Sequence, residues 1–309
     1  KIPLANLVLM EQGRAFPLRS GETRLEPGDY RFLERFLDVT KANLFFASGV
    51  IVVEGDAEAI LLPALARLLG TDLTEHGISV INVGGRGLTR FSRIFQRCRE
   101  GAPTLSVPVA CITDMDVMPD CAPVLLQLVT GSEDERWKSP KRRWKAVCDL
   151  GDDARTQKEA LDERRKRLQS NDGQSVKTFV ADHWTLEYDL AFCGLAEEVY
   201  VAASLALNDD PLNDEKKNRA DVEAAARTAF AEMAATAGDR AALCTKVYRP
   251  FHSGSVSKTI AAQYLAEALA KTGEAAGFDA DAFAALLPRY IVGAIAHARP
   301  ASPPSGSPR

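Results

Sequence analysis

Glu54, Glu58, Asp114 and Asp116 have the types and spacing of a metal site. Glu54 directly follows the apolar run Val50-Ile51-Val52-Val53, and Glu58 lies four residues on, one helical turn away on the same face. Asp114 and Asp116 end a second run, residues 107–113, where alternate residues of a strand project to one side. Carboxylates converging at strand ends repel one another unless cations sit between them, and hard oxygen donors suit Mg²⁺ or Mn²⁺. Two such ions about 3.5–4 Å apart stabilise both the attacking and the leaving oxygen in phosphodiester cleavage. Singly, each acid reads more readily as a helix-dipole partner or a turn cap. The case rests on their occurring together.

The elements that must position them are legible as βα units. Residues 1–26 alternate short apolar runs with Gly and Pro, as an edge strand and turns would, and Glu26-Pro27-Gly28-Asp29 opens a helix. Residues 50–53 and 78–83 predict buried parallel strands, as do residues 107–113. Helices are predicted over 57–69, closed by Gly70, and over 88–99, beyond the Gly84-Gly85-Arg86-Gly87 turn. Strands alternating with helices imply a parallel sheet with right-handed crossovers.

From Gly131 the character changes. Residues 136–145 hold six basic residues (Arg136, Lys138, Lys141, Arg142, Arg143, Lys145) and two tryptophans with no acid. The cations could pair with DNA phosphates and the tryptophans stack on bases, or the tryptophans could anchor a solvated loop to the core. Residues 154–170 read as a charged helix whose Arg164-Arg165-Lys166-Arg167 run is a solvated face. A strand over 176–181 returns to the sheet and leads into 184–195, and three Ala-rich helical segments are predicted near 214–237, 257–271 and 279–298. The expected organisation is α/β with a mostly parallel sheet flanked by helices, plus an α-helical domain. Residues 1–39 are a lead-in from a missing N-terminal domain, 40–207 the catalytic domain with an insertion over about 131–175, 208–298 the helical domain and 299–309 a disordered tail.

Bulk properties constrain function only loosely. A net charge of −4 excludes a protein coated with basic residues but not a local basic stripe. Six cysteines without a CxxC pair read as reduced thiols, which favours the cytoplasm. No apolar run is seen to reach the roughly 18–20 residues of a membrane span, so no membrane partner is expected. The start at Lys1 with an immediate apolar run reads as a piece of something longer.

The order strand-Glu-Gly, strand-Gly-Gly, strand-Asp-x-Asp resembles the Toprim pattern of primases, topoisomerases and related nucleases. Ala42 to Ala47 leading into Val50–Glu58 and Leu61-Leu62-Pro63, with Ile81-Asn82-Val83-Gly84-Gly85, resembles the OLD (overcoming lysogenization defect) family in particular. That resemblance implies a Toprim fold and two-metal DNA cleavage with Mg²⁺ or Mn²⁺. Glu54 and Asp114 would be catalytic, and Glu54, Glu58, Asp114, Asp116 and Glu187 would hold the metal. Lys258 would neutralise charge on the scissile phosphate, with Thr185, Asp189, Gly84 and Gly85 lining the site. It also implies a preceding ATPase domain and a homodimer in the full-length protein. No GxxxxGK[ST] occurs in the chain, so ATP is not expected to be a cofactor of this stretch.

Three rivals differ in class. A haloacid-dehalogenase-type phosphatase would use Asp114 as nucleophile with Gly151-Asp152-Asp153 as its late acidic motif; the two acids Asp114 and Asp152 lie only 38 residues apart, and Glu54 and Glu58 stay unexplained. A topoisomerase needs a tyrosine nucleophile in a DNA-breakage domain, and no tyrosine has that setting. A non-catalytic DNA-binding Toprim module would have no need of the full acidic set.

Overall fold

The computed structural model describes residues 2–37, 41–85 and 87–301. Lys1, residues 38–40 at the junction of the lead-in and the expected catalytic domain, Arg86 of the glycine turn and residues 302–309 of the expected tail lie outside them.

The short β-branched runs form a four-stranded parallel sheet. Its strands are β3 (Gly49–Val53), β4 (Ile78–Asn82), β5 (Val109–Thr113) and β6 (Val176–Val180), in the order β4-β3-β5-β6. Every residue of the central strands β3 and β5 is buried, as unbroken apolar runs covered on both faces require. Side chains alternate across them. Ile51, Val53, Ala110 and Ile112 enter one core, whereas Val50, Val52, Val109 and Cys111 enter another on the opposite face.

The second core is roofed by the N-terminal segment. There β1 (Val8–Glu11) and β2 (Arg14–Pro17) pair as an antiparallel hairpin, followed by α1 (Pro27–Phe36). Asp29 of α1 joins Arg90 and Arg93 of α3 (Leu88–Arg93) at 3.3 and 3.0 Å. The helix expected to reach residue 99 stops at Arg93 because Arg97 bridges to Thr23 and its N–H bonds the Gln174 side chain.

The first core takes α2 (Asp56–Leu68), α4 (Ala122–Leu125) and most of the remaining helices. The 131–175 insertion carries α5 (Ala154–Leu168); the sheet then leads into α6 (Leu186–Leu190) and a π-turn over Ala191–Leu195. Beyond lie α7 (Ala196–Leu207), α8 (Asp209–Asn213), α9 (Arg219–Thr236), α10 (Arg240–His252), α11 (Lys258–Gly273), α12 (Ala280–Ala284) and α13 (Arg289–Ala298). The C-terminal helices share one core with the sheet: α11 lies along α2 and α7, and α13 on β5, β6 and β3. Segmentation departs from the sequence pattern at three places. Asn218 caps a new helix within the 214–237 stretch, Pro288 divides 279–298, and α10 forms with Pro250 in its last turns.

Two further expectations are corrected. Arg164 and Arg165 are not a solvated face, since Arg164 Nε donates to the Met115 carbonyl (2.6 Å) and Arg165 Nη1 to that of Val180 (3.1 Å), which clamps the insertion to the strand ends. The helical run Leu186–Leu207 contains an 18-residue window of mean hydropathy 1.6 and is by length and composition alone long and apolar enough to cross a membrane, although no such stretch was expected. It mixes core residues with Glu187, Asp189, Glu197 and Glu198, so counting only uninterrupted apolar residues passes over it.

A Cβ built on Gly49 at the start of β3 would overlap the Ala298 carbonyl, so this glycine sets how closely α13 approaches the sheet. Gly49→Ala should therefore destabilise the fold by on the order of 2–3 kcal/mol in urea denaturation, whereas Gly28→Ala, with open space around it, should stay within about 0.5 kcal/mol of wild type.

Candidate active site

Parallel pairing sets the acids side by side. Val52 lies opposite Cys111, so Glu54, the residue after β3, falls level with Thr113, and Thr113 Oγ1 donates to Glu54 Oε1 at 3.3 Å. Asp114 follows at the same rim. Helix starts supply the rest: Glu58 in the first turn of α2, Glu187 in that of α6, and Lys258 as the first residue of α11. Glu54, Glu58, Asp114, Glu187 and Lys258, with Asp56 and Thr259, line one cavity of about 300 Å³. Gly55 admits the Glu58 carboxylate against the backbone, because a Cβ there would sit 2.8 Å from its Oε2.

The cavity holds more negative charge than it neutralises. Lys258 Nζ donates to Glu187 Oε2 at 2.8 Å and lies 5.3 Å from the Tyr248 ring centroid. Burial would strip the lysine of its proton, but Glu187, Tyr248 and Asp114 outweigh it and hold the ammonium charged. Burial, then Glu187 and Glu58, push Asp114 well above the usual carboxylate range, against the pull of Lys258. Burial likewise raises Glu58, and it raises Glu54 to about 7 against the Thr113 hydrogen bond, with Asp116 and Glu58 adding to the rise. One ammonium thus serves five carboxylates, of which Asp56 is held by the Asn82 amide. An all-oxygen donor set short of positive charge fits a hard divalent cation in kind and in charge. The acids are not drawn into a coordination shell: among the described residues no three of His, Cys, Asp and Glu are grouped closely enough to grip an ion.

Other expected site residues stand elsewhere. Asp116 is exposed, with φ +55°, and turns toward Arg164 (3.5 Å) instead of lining the cavity. Strand alternation placed it beside Asp114, but β5 ends at Thr113 and the alternation ends with it. Asp189 is fully buried and accepts the His183 and Trp184 N–H groups at 3.1 and 3.0 Å, closing the turn before α6. Thr185 caps α6. Gly84 and Gly85, with φ of +68° and +73°, turn the chain after β4 outside the cavity wall, and Gly84 N–H bonds Asn82, whose amide holds Asp56 at 2.6 Å. Asp56, Thr259 and Tyr248 were missed. Asp56 sits between Glu54 and Glu58 and was the one open to detection.

Residues 45–116, which run from just before β3 to the acidic end of β5, match the family described as "Overcoming lysogenization defect protein-like, TOPRIM domain". They form an OLD-like Toprim domain. The C-terminal region of the Xanthomonas campestris pv. campestris OLD protein is 23% identical over 83% of this chain and 94% of its own, with a TM-score of 0.42. That of the Burkholderia pseudomallei OLD protein is 23% identical over 82% and 98%, with a TM-score of 0.44. No curated protein matches the chain.

Beside the Toprim strands, the basic segment is anchored rather than open. Trp137 and Trp144 meet edge to face at 5.1 Å and pack on the core, with Arg142 held at 4.4 Å from the Trp144 ring centroid and bonded to Asp149. The tryptophans are therefore not free platforms for bases. Arg136 pairs with Asp134 at 2.6 Å. Lys138, Lys141, Arg143 and Lys145 are exposed, and among the described residues none of them makes an ion pair.

The raised Glu54 gives a signed pH dependence. Its folded-state affinity for a proton exceeds the unfolded one, so between about 4.5 and about 7 the folded Toprim domain holds a proton that the unfolded chain has lost, and stability falls as pH rises. In EDTA, wild type should lose about 1–2 kcal/mol across this window relative to Glu54→Gln, a figure discounted for solvent screening of a partly exposed carboxylate. Thermal denaturation at a series of pH values reads the difference, and a wild-type curve parallel to that of the variant counts against a raised proton affinity at Glu54.

Proposed function

We propose that this chain is a divalent-metal-dependent DNA endonuclease that cleaves or nicks phosphodiester bonds at the acidic cavity. The observation that carries the reading is that five carboxylates, Glu54, Asp56, Glu58, Asp114 and Glu187, from two strand ends and two helix starts, line one cavity with one lysine. Glu54, Glu58, Asp114 and Glu187 would hold two Mg²⁺ or Mn²⁺ ions, with Asp116 at the rim. Such ions, when bound, neutralise the acids, activate water and stabilise the leaving oxygen.

The protein's own groups divide the remaining work. Thr113 orients Glu54 through its hydroxyl. Lys258, a preorganised cation whose partner Glu187 is itself a metal ligand in this reading, is free to turn toward the scissile phosphate as charge develops there. Lys138, Lys141, Arg143 and Lys145 would track the DNA backbone, and the association would weaken with salt. No step in this stretch calls on ATP. Six free cysteines accord with a cytoplasmic location, which forms part of the proposal.

The phosphatase rival loses its late motif, since Asp153 is the N-cap of α5, accepting from Arg155 and Thr156. A non-catalytic DNA-binding role draws support from one observation, the ungathered state of the acids. Activity separates the two. Supercoiled plasmid should be nicked with Mn²⁺ or Mg²⁺, not in EDTA, and at a rate indifferent to added ATP. Lys258→Ala should slow nicking on the order of 100- to 1000-fold while retaining Mn²⁺ binding by calorimetry, whereas Asp114→Ala should lose both. Metal-independent nicking would sink the proposal, and DNA binding without any cleavage would favour the non-catalytic role.

A further inference from the structure

A cleft of about 860 Å³ opens one helical run away from the acidic cavity. It opens where Asp182 and His183 leave β6, and is closed by the π-turn and the starts of α10 and α13. Two guanidiniums face it, Arg240 and Arg289, both exposed, and neither has a carboxylate within ion-pair distance among the described residues. Of the acids, Asp182 lines the cleft and already accepts the Arg289 backbone N–H through Oδ2 at 3.0 Å, while Asp189 lies buried behind it, 3.5 Å from the His183 ring nitrogen. Apolar and aromatic groups form the other wall: Phe192 stands 4.1 Å from the His183 ring, and Arg240 lies 5.6 Å from the Phe192 centroid.

The backbone is shaped to present this wall. The turn Ala191–Leu195 is π-helical, with Gly194 at φ +152°, and a Cβ there would sit 2.7 Å from Leu286 Cδ2. Such turns in helices are frequent at functional sites. The same helical run that sends Glu187 into the acidic cavity brings Phe192 and Cys193 to the cleft. Five residues of helix separate Glu187 from Phe192, about 7.5 Å along the axis.

The geometry points to this cleft as a subsite for single-stranded nucleic acid, in which Arg240 and Arg289 pair with backbone phosphates and a base stacks against Phe192 and His183. Cations without carboxylate partners beside an aromatic wall match the chemistry of a nucleoside phosphate unit, and the volume suits one strand rather than a duplex. The inference rests on the proposal that the neighbouring Toprim site acts on DNA. It adds that the strand entering that site is unpaired.

The test is fluorescence anisotropy with a labelled oligothymidylate of about ten nucleotides, in EDTA so that metal plays no part, against a duplex of the same length. Wild type should bind the single strand in a salt-dependent way. Arg240→Gln with Arg289→Gln should weaken binding about tenfold or more and lower the logarithmic salt slope by about 1 to 1.5, as loss of two phosphate contacts on a single strand predicts. Phe192→Leu, which keeps an apolar side chain in the wall, should weaken binding about tenfold through lost stacking, and thymidine monophosphate should displace the strand better than inorganic phosphate. Unchanged affinity in the double-arginine variant, equal loss of duplex binding, or phosphate competing as well as the nucleotide would each overturn the subsite. Plasmid nicking separates the two readings. Single-strand binding without cleavage counts against the nuclease alone, and cleavage with unaltered binding in the variants counts against the cleft alone.

Discussion

The parallel register of two buried strands decides where the acids of this molecule meet. With Val52 opposite Cys111, the first residues beyond β3 and β5 reach the same rim, and both are acids, Glu54 and Asp114. Parallel sheets gather their strand C-termini on one edge, which is where ligands bind in open α/β folds. Here that edge also receives the first turns of α2 and α6, and so Glu58 and Glu187. Acids in the first turn of a helix are favoured by its dipole. For Glu58 that favour opposes, without cancelling, the burial and repulsion that raise its proton affinity.

Lys258 shows the opposite balance. A cation at the first residue of α11 is disfavoured by that helix's dipole, and burial adds to the penalty. It is held there because α11 packs lengthwise on α2, the helix that begins behind Glu54, and because Glu187 accepts its hydrogen bond at 2.8 Å. Packing of apolar residues such as Leu65 and Leu265 in one core thus delivers an unfavourable charge to the one place that needs it. The C-terminal helices and the Toprim strands are for this reason one structural unit around the cavity.

What the sequence disclosed depends on how local each signal is. The strands β3 to β6, the helix behind Glu54 and the trio Glu54, Glu58 and Asp114 are each set by a short run of residues, and all are where periodicity put them. Glu187 and Lys258 meet across 71 positions, a contact that no spacing rule encodes; only the family resemblance pointed to them. Asp116 was misplaced because alternation was carried past the end of a strand into a residue with positive φ. The roles of Arg164 and Arg165 were hidden for a different reason. Their partners are backbone carbonyls, which every sequence offers and none advertises. Pro250 concealed α10, although a proline late in a helix need displace only one backbone bond.

The insertion illustrates how a peripheral element can act on the centre. Arg164 holds the Met115 carbonyl and faces the Asp116 carboxylate, so one guanidinium fixes both the backbone just beyond Asp114 and the acid that alternation would have aimed at the cavity. Arg165 grips the end of β6, the strand that leads to Glu187. The clamp therefore holds the rim from two sides, at β5 and at β6, while the tryptophan pair ties the rest of the insertion to the core. A segment that composition marks as a separate, solvated appendage is mechanically part of the site. Its exposed lysines and Arg143 thus belong to a segment tied by the tryptophans to the core that also carries the acid-bearing strands.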